Sequence, residues 1–219
     1  MKIRDLQLPN LELGATLRLP DSPKGIVVFA HGSGSSRFSP RNAAVAESLN
    51  QAGFGTLLLD LLTPAEEADR SNVFDISLLA DRLIFAVAWV DRQPELSYLP
   101  LGFFGASTGA AAAIVAAAKL GVRVSAVVSR GGRPDLAGQA LDLVTAPTLL
   151  IVGGDDYTVL GLNERAFAQL RAQKALRIVP GATHLFEEPG ALEEVSKYAI
   201  DWFALYLAAR SDKVAASNR

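Results

Sequence analysis

The stretch from Leu101 to Leu120, LGFFGASTGAAAAIVAAAKL, constrains the chain more than any other. Its first four residues are an apolar run that reads as a buried strand. Gly105-Ala106-Ser107-Thr108-Gly109 interrupts that run, and an alanine-rich segment follows that reads as a long helix. The turn has the pattern G-x-S-x-G, a sharp strand-to-helix elbow that lifts its middle side chain above a sheet. Glycine on either side lets strand and helix pass closely, and the alanines after it let the helix lie flat. Ser107 is the candidate nucleophile. The same segment approaches the length of a membrane span, and Gly105 and Gly109 form a G-x-x-x-G. Ala, Gly, Ser and Thr insert weakly, however, and strand-like runs flank it on both sides, so a soluble elbow is expected.

The rest of the chain supplies the partners that such an elbow needs. GIVVFA (Gly25–Ala30), GTLLLD (Gly55–Asp60), Val122–Ser129, Thr148–Val152 and Leu176–Val179 read as buried strands. Helices are expected over Asn42–Ala52, Ile76–Arg92, Leu162–Lys174 and Ala191–Ala209. Leu79, Leu83, Val87 and Val90 fall on one face of the second of these. Lys2–Leu8 and Leu11–Leu19 alternate apolar and polar residues around Pro9-Asn10, which reads as an antiparallel hairpin at a sheet edge. Leu61–Asp75 reads as irregular and acidic. Strands alternating with helices predict an α/β fold: a mostly parallel sheet of about eight strands, helices on both faces. One domain over residues 1–209 is expected, with a polar tail over 210–219.

Composition narrows the chemistry. The 21 basic and 23 acidic residues are interspersed and leave a net charge of −2, so no nucleic-acid-binding stripe is expected. There is no cysteine, which excludes disulfides, thiolate metal sites and a cysteine nucleophile. With only His31 and His184, a multi-histidine metal site is not expected, and no cofactor is implied. The first residues lack the apolar stretch of a signal peptide, so a cytoplasmic location is expected.

In parallel sheets, chemistry gathers at the carboxyl ends of the strands. Here those ends carry His31-Gly32-Ser33-Gly34, then Ser107, then Asp155-Asp156, then His184. A hydroxyl, a carboxylate and an imidazole thus fall on one edge in the order Ser, Asp, His. A serine hydroxyl needs a base to take its proton as it attacks, and His184 is the candidate. Either Asp155 or Asp156 can orient that imidazole. An oxyanion formed at Ser107 needs preorganised donors. The Thr108 N–H at the helix start is one, and the Ser33 N–H in the loop after Gly25–Ala30 is expected as the other.

These motifs resemble the α/β-hydrolase superfamily over nearly the whole chain. The match is carried by HGSGSS, GASTGA, the G-x-x-D-x-x-V of Gly153–Val159, and GATHLF. SRGGRPDLAG and EEPGAL further resemble the dienelactone-hydrolase-like branch, whose members are small and lidless. The resemblance implies an α/β-hydrolase fold without a cap domain. Its G-x-x-D-x-x-V spacing selects Asp156 as the acid, and it gives the first His of H-G, His31, a structural role in the oxyanion loop. Dienelactone hydrolases carry cysteine at the elbow where this chain has serine, so the resemblance conveys ancestry better than substrate.

The function expected is hydrolysis of a small ester, lactone or thioester; the partner is a small acyl substrate, and the chain a monomer or homodimer. Arg37, Arg41, Arg130 and Arg133 fall near the expected mouth. Arg130 directly follows a strand and is the foremost candidate to hold a carboxylate or phosphate of the substrate. Arg37 and Phe38 are further substrate-binding candidates, and Leu185 and Phe186 are candidates for an acyl pocket. Two other classes compete: a non-catalytic ligand-binding or scaffold protein on this fold, and a nucleotide-binding domain built on Gly32-Ser33-Gly34. The latter lacks the third glycine of G-x-G-x-x-G, where Arg37 stands.

Overall fold

Lys2–Leu8 (β1) and Leu13–Leu19 (β2) pair antiparallel, Lys2 opposite Leu19 and Leu8 opposite Leu13, as the alternation predicts. In β2 the residues Leu13, Ala15, Leu17 and Leu19 turn inward while their neighbours stay half-exposed. The computed structural model describes residues 1–9 and 11–217, with side chains described as far as Leu207. Asn10 of the expected hairpin turn therefore lies outside the described residues.

The chain then alternates Ile26–Ala30 (β3), Pro40–Gln51 (α1), Gly55–Leu59 (β4) and three helices, Pro64–Glu67 (α2), Arg70–Val73 (α3) and Ile76–Val90 (α4). The elbow follows as Leu101–Ala106 (β5) and Thr108–Leu120 (α5). After it come Val124–Arg130 (β6), Ala140–Leu143 (α6), Thr148–Gly153 (β7), Tyr157–Gln169 (α7), Lys174–Val179 (β8) and Ala191–Ser217 (α8). The strands form one eight-stranded sheet in the order β1-β2-β4-β3-β5-β6-β7-β8. All pairs from β4 through β8 are parallel, and β2 joins β4 antiparallel. Between β6 and β7 lie only a short 3-10 turn, Pro134–Ala137, and α6, so no cap stands there.

Two apolar layers flank the sheet. One packs α4 and α5 against the inner faces of β2, β3 and β5, with the four predicted α4 residues Leu79, Leu83, Val87 and Val90 all buried. The other packs α1 and α8 against Phe29, Phe104 and Val128, with Phe54 and Phe203 filling the seam. Helix α5 lies so close to β3 and β5 that a Cβ on Gly109 would come within 2.3 Å of the Ala30 carbonyl oxygen. Gly109→Ala is accordingly expected to lower the unfolding free energy by about 2–3 kcal/mol, since backbone must move to admit the methyl. A urea titration beside the parent measures it; an unshifted midpoint contradicts the close approach.

Several boundaries differ from those read in the sequence. Two short helices occupy the stretch read as irregular: Thr63 caps α2 reciprocally with Glu66, and Asp69 caps α3. Helix α7 starts at Tyr157 rather than Leu162, because Gly161 is tolerated inside it. Helix α1 starts at Pro40, a favoured first helical position behind the N-cap Ser39. Helix α8 runs past 209 into the expected polar tail, whose side chains and last two residues, 218–219, lie outside the described residues.

Candidate active site

Sheet register brings the strand ends together. Ala30 of β3 lies opposite Gly105 of β5, Ala106 opposite Arg130 of β6, and Gly153 of β7 opposite Val179 of β8. Each of these strands releases its chain at the same edge, and the side chains that follow line the site.

Ser107 sits between β5 and α5 with φ +50° and ψ −123°, a backbone conformation that L-residues rarely adopt. Such strain persists only where the surroundings over-determine it. Here the Ser107 N–H donates to the Arg130 carbonyl at 3.3 Å. The Ser107 carbonyl accepts from Arg133 N–H at 3.0 Å and Ala110 N–H at 3.1 Å.

Asp156 and His184 are joined by interlocked loops. The Gly154 N–H donates to Val179 O at 2.8 Å and the Asp155 N–H to Ala182 O at 3.0 Å, tying the end of β7 to the end of β8. Asp156 stands at the N-cap of α7, yet its side chain does not cap the helix. It accepts instead from His184 Nδ1–H, with Nδ1 and Oδ2 2.7 Å apart. An ionised carboxylate only accepts, so the proton sits on Nδ1 and leaves Nε2 as the free acceptor. After His184 the chain turns sharply at Phe186, φ +56°. Asp155 is exposed, and no such pairing of its carboxylate occurs among the described residues.

Ser107 and His184 line one cavity of about 260 Å³, together with Gly32, Ser33, Ser35, Ser39, Arg41, Asn42, Arg130 and Leu185. Arg130 is 7% exposed, and one guanidinium nitrogen donates to Asn42 Oδ1 at 3.3 Å. Among the described residues it has no acidic partner, and its Nε is buried without a hydrogen bond. Burial, with the nearby Arg41 charge, lowers its pKa to about 10, so it stays cationic at neutral pH. Arg41 is paired with Glu187 at 2.8 Å, and Arg133 makes a bidentate pair with Asp135 at 2.9 and 2.8 Å.

Arg37 and Phe38 stand apart from this cavity. Arg37 is held by Asp60, through its N–H at 2.8 Å and its guanidinium, because the end of β4 presents that carboxylate to the loop. Phe38 is stacked against the Arg37 guanidinium and lines a neighbouring hollow of about 180 Å³. Phe186 packs in the core against α8 rather than forming a pocket wall. His31 is half-buried, and its pKa is pulled below the usual histidine value by desolvation, which outweighs its bond to Gly32 and the charges of Asp60 and Glu67. It accepts from the Leu61 N–H at 3.1 Å through Nε2. Sequence reading missed Ser39 and Asn42 as cavity residues, although Ser39-Pro40 is a legible helix start. The Ser33 N–H, expected at the oxyanion, donates instead to the Thr108 hydroxyl at 3.0 Å.

With this geometry in place, the chain matches the model of the dienelactone hydrolase family over residues 13–208. It belongs to the dienelactone hydrolase family. A crystal structure of dienelactone hydrolase from Anabaena variabilis superposes with a TM-score of 0.90 at 54% identity, covering 94% of this chain and 97% of that one. Two Mycobacterium tuberculosis proteins, provisionally named phosphoribosyl transferases, are 64% identical over 191 residues. That match spans 87% of this chain but only 43% of theirs. A Bradyrhizobium protein provisionally named 2-oxo-3-(5-oxofuran-2-ylidene)propanoate lactonase is 31% identical over 165 residues, 66% of each chain. The α/β-hydrolase fold expected from the motifs is the fold observed. Among the described residues no helix is long and apolar enough to cross a membrane.

Proposed function

We propose that this chain is a serine hydrolase that cleaves a small ester, lactone or thioester through an acyl-enzyme on Ser107. The observation that carries the reading is the 2.7 Å bond to Asp156 from a histidine, His184, that shares its cavity with a serine held at positive φ. His184 Nε2 takes the hydroxyl proton as the Ser107 Oγ–carbon bond forms, and the carbonyl electron pair moves onto oxygen. The Thr108 N–H, at the positive end of α5, receives that oxyanion. Collapse expels the alkoxide or thiolate, which takes the proton from His184. Water then repeats the sequence and releases the acid. Asp156 holds the imidazole in the required tautomer throughout.

A panel of short-chain esters, lactones and thioesters tests this, with intact mass after treatment by a small fluorophosphonate. A single adduct on the folded protein is expected. A folded protein that neither turns over the panel nor takes the adduct favours a ligand-binding role instead.

Arg130 gives the substrate a further requirement. A buried guanidinium without an acid is costly unless a ligand supplies the counter-charge, so the acyl part is expected to carry an anionic group. Arg130→Met should raise KM for a half-ester such as mono-p-nitrophenyl succinate by about 10- to 100-fold, the worth of a charge-assisted bond. KM for p-nitrophenyl acetate should stay unchanged, and so should thermal stability or better, since an unpaired charge leaves the interior. Equal losses on both esters sink the assignment.

A further inference from the structure

One peptide unit in the loop after β3 is held from both sides. The Gly32 carbonyl accepts from His31 Nδ1–H at 2.9 Å and from the Ser35 N–H at 3.3 Å. The N–H of the same unit, on Ser33, donates to the Thr108 hydroxyl oxygen at 3.0 Å. Carbonyl and N–H of a trans peptide point in opposite directions, so these three bonds fix a single plane. That plane borders the reacting hydroxyl: a Cβ on Gly32 would come within 2.8 Å of Ser107 Cβ.

Thr108 therefore touches both donors that an oxyanion at Ser107 would use. Its own N–H opens α5, and its side chain, 4% exposed, occupies the N–H of Ser33. While that bond is made, the Ser33 proton is committed to a neutral acceptor. We propose that the Thr108 hydroxyl is a stand-in acceptor, which holds the second oxyanion donor in the resting enzyme and yields it as the tetrahedral intermediate forms. The exchange runs forward because a developing oxyanion accepts more strongly than an uncharged hydroxyl. It slows turnover, because the resting bond is broken on the way to the transition state. It stabilises the fold, because a part-buried N–H otherwise lacks a partner. Thr108 is thus a positioning residue whose hydroxyl trades rate for stability.

This inference rests on the serine-hydrolase reading, and the test separates the two. Thr108→Val keeps the β-branch and removes the acceptor; Thr108→Ser keeps the acceptor. The first readout is the second-order rate of labelling by a small fluorophosphonate. There Ser107 Oγ bonds to phosphorus, fluoride leaves, the hydroxyl proton passes to His184, and the phosphoryl oxygen takes the oxyanion position. For Thr108→Val, labelling and kcat on p-nitrophenyl acetate should rise about two- to tenfold, the worth of one net neutral hydrogen bond. Its Tm should fall by a few degrees. Thr108→Ser should restore the parent's labelling rate and lose Tm only through the buried methyl it gives up. A hydroxyl with a purely structural role moves rate and Tm down together, so the opposite signs are the diagnostic. Labelling of folded Thr108→Val that is slower than the parent's, or equal to it, overturns the stand-in role and leaves Ser107 as nucleophile. A folded parent that takes no label overturns the underlying reading and the inference with it. If Thr108→Val does not fold, Thr108→Ala carries the same expected signs.

Discussion

Ser107→Ala is expected to lower kcat on the best ester of the panel by on the order of 10⁵- to 10⁶-fold, as removal of a serine nucleophile does elsewhere. The adduct with fluorophosphonate should vanish, while circular dichroism and Tm stay close to the parent. Stability is preserved because alanine inherits the same unfavourable backbone. The φ of +50° at this position is imposed by the register of β5 and α5 and by the bonds to Arg130, Arg133 and Ala110. It is not a property of the serine side chain. Glycine adopts that region without a steric penalty. Ser107→Gly should therefore be as inactive as Ser107→Ala but about 1 kcal/mol more stable, the strain having been relieved. A pair of inactive variants that differ in Tm in this direction ties the strain to the reactive position. Residual activity near the parent's in either variant removes Ser107 from the mechanism.

That strain was legible only as a pattern. G-x-S-x-G, two flanking apolar runs and a stretch of alanines indicate an elbow, because small residues are required wherever helix and strand backbones approach this closely. Gly105 and Gly109 meet the backbone of Ala110 and of Ala30 and His31, as the pattern demands. The mostly parallel sheet with its antiparallel edge hairpin was legible in the same way, from buried runs separated by helices, whereas the order of the strands within it was not. Side-chain partnerships follow other rules. Arg37 and Arg130 are both arginines at or beside strand ends, but one meets Asp60 beyond β4, and the other meets the amide of Asn42 and the ring of Phe186 and no acid among the described residues. Which arginine finds an acid depends on tertiary register, which no local periodicity encodes. The Thr108 hydroxyl is a second case. As the residue after the candidate nucleophile it was legible as a proposed backbone donor, whereas its contact with Ser33 spans 75 positions in sequence. The short helices α2 and α3 were missed for a third reason: their caps, Thr63 and Asp69, sit in an acidic segment with no apolar face to show a helical period.

The pair Asp155 and Asp156 gives the sharpest separation of neighbouring residues. Asp156→Asn should cut kcat about 10⁴-fold with KM little changed, whereas Asp155→Asn should stay within about twofold of the parent. The difference comes from one position of register. Backbone bonds from Gly154 and Asp155 to the end of β8 fix the loop so that Asp156, its side chain 14% exposed, faces His184. Asp155 uses its backbone N–H in that lock and is itself exposed. An asparagine at 156 fills the same space, so the loop should hold and thermal stability should change little. Its amide group can donate to Nδ1, which an ionised carboxylate cannot do, and the imidazole then carries its proton on Nε2. In that tautomer His184 has no lone pair to offer the serine hydroxyl. The charge that stabilises the imidazolium during attack is lost as well. Steady-state kinetics on the two asparagine variants, with fluorophosphonate labelling rates beside them, decides the matter. Loss at Asp155 with activity retained at Asp156→Asn moves the acid one residue back and breaks the role assigned to the 2.7 Å bond.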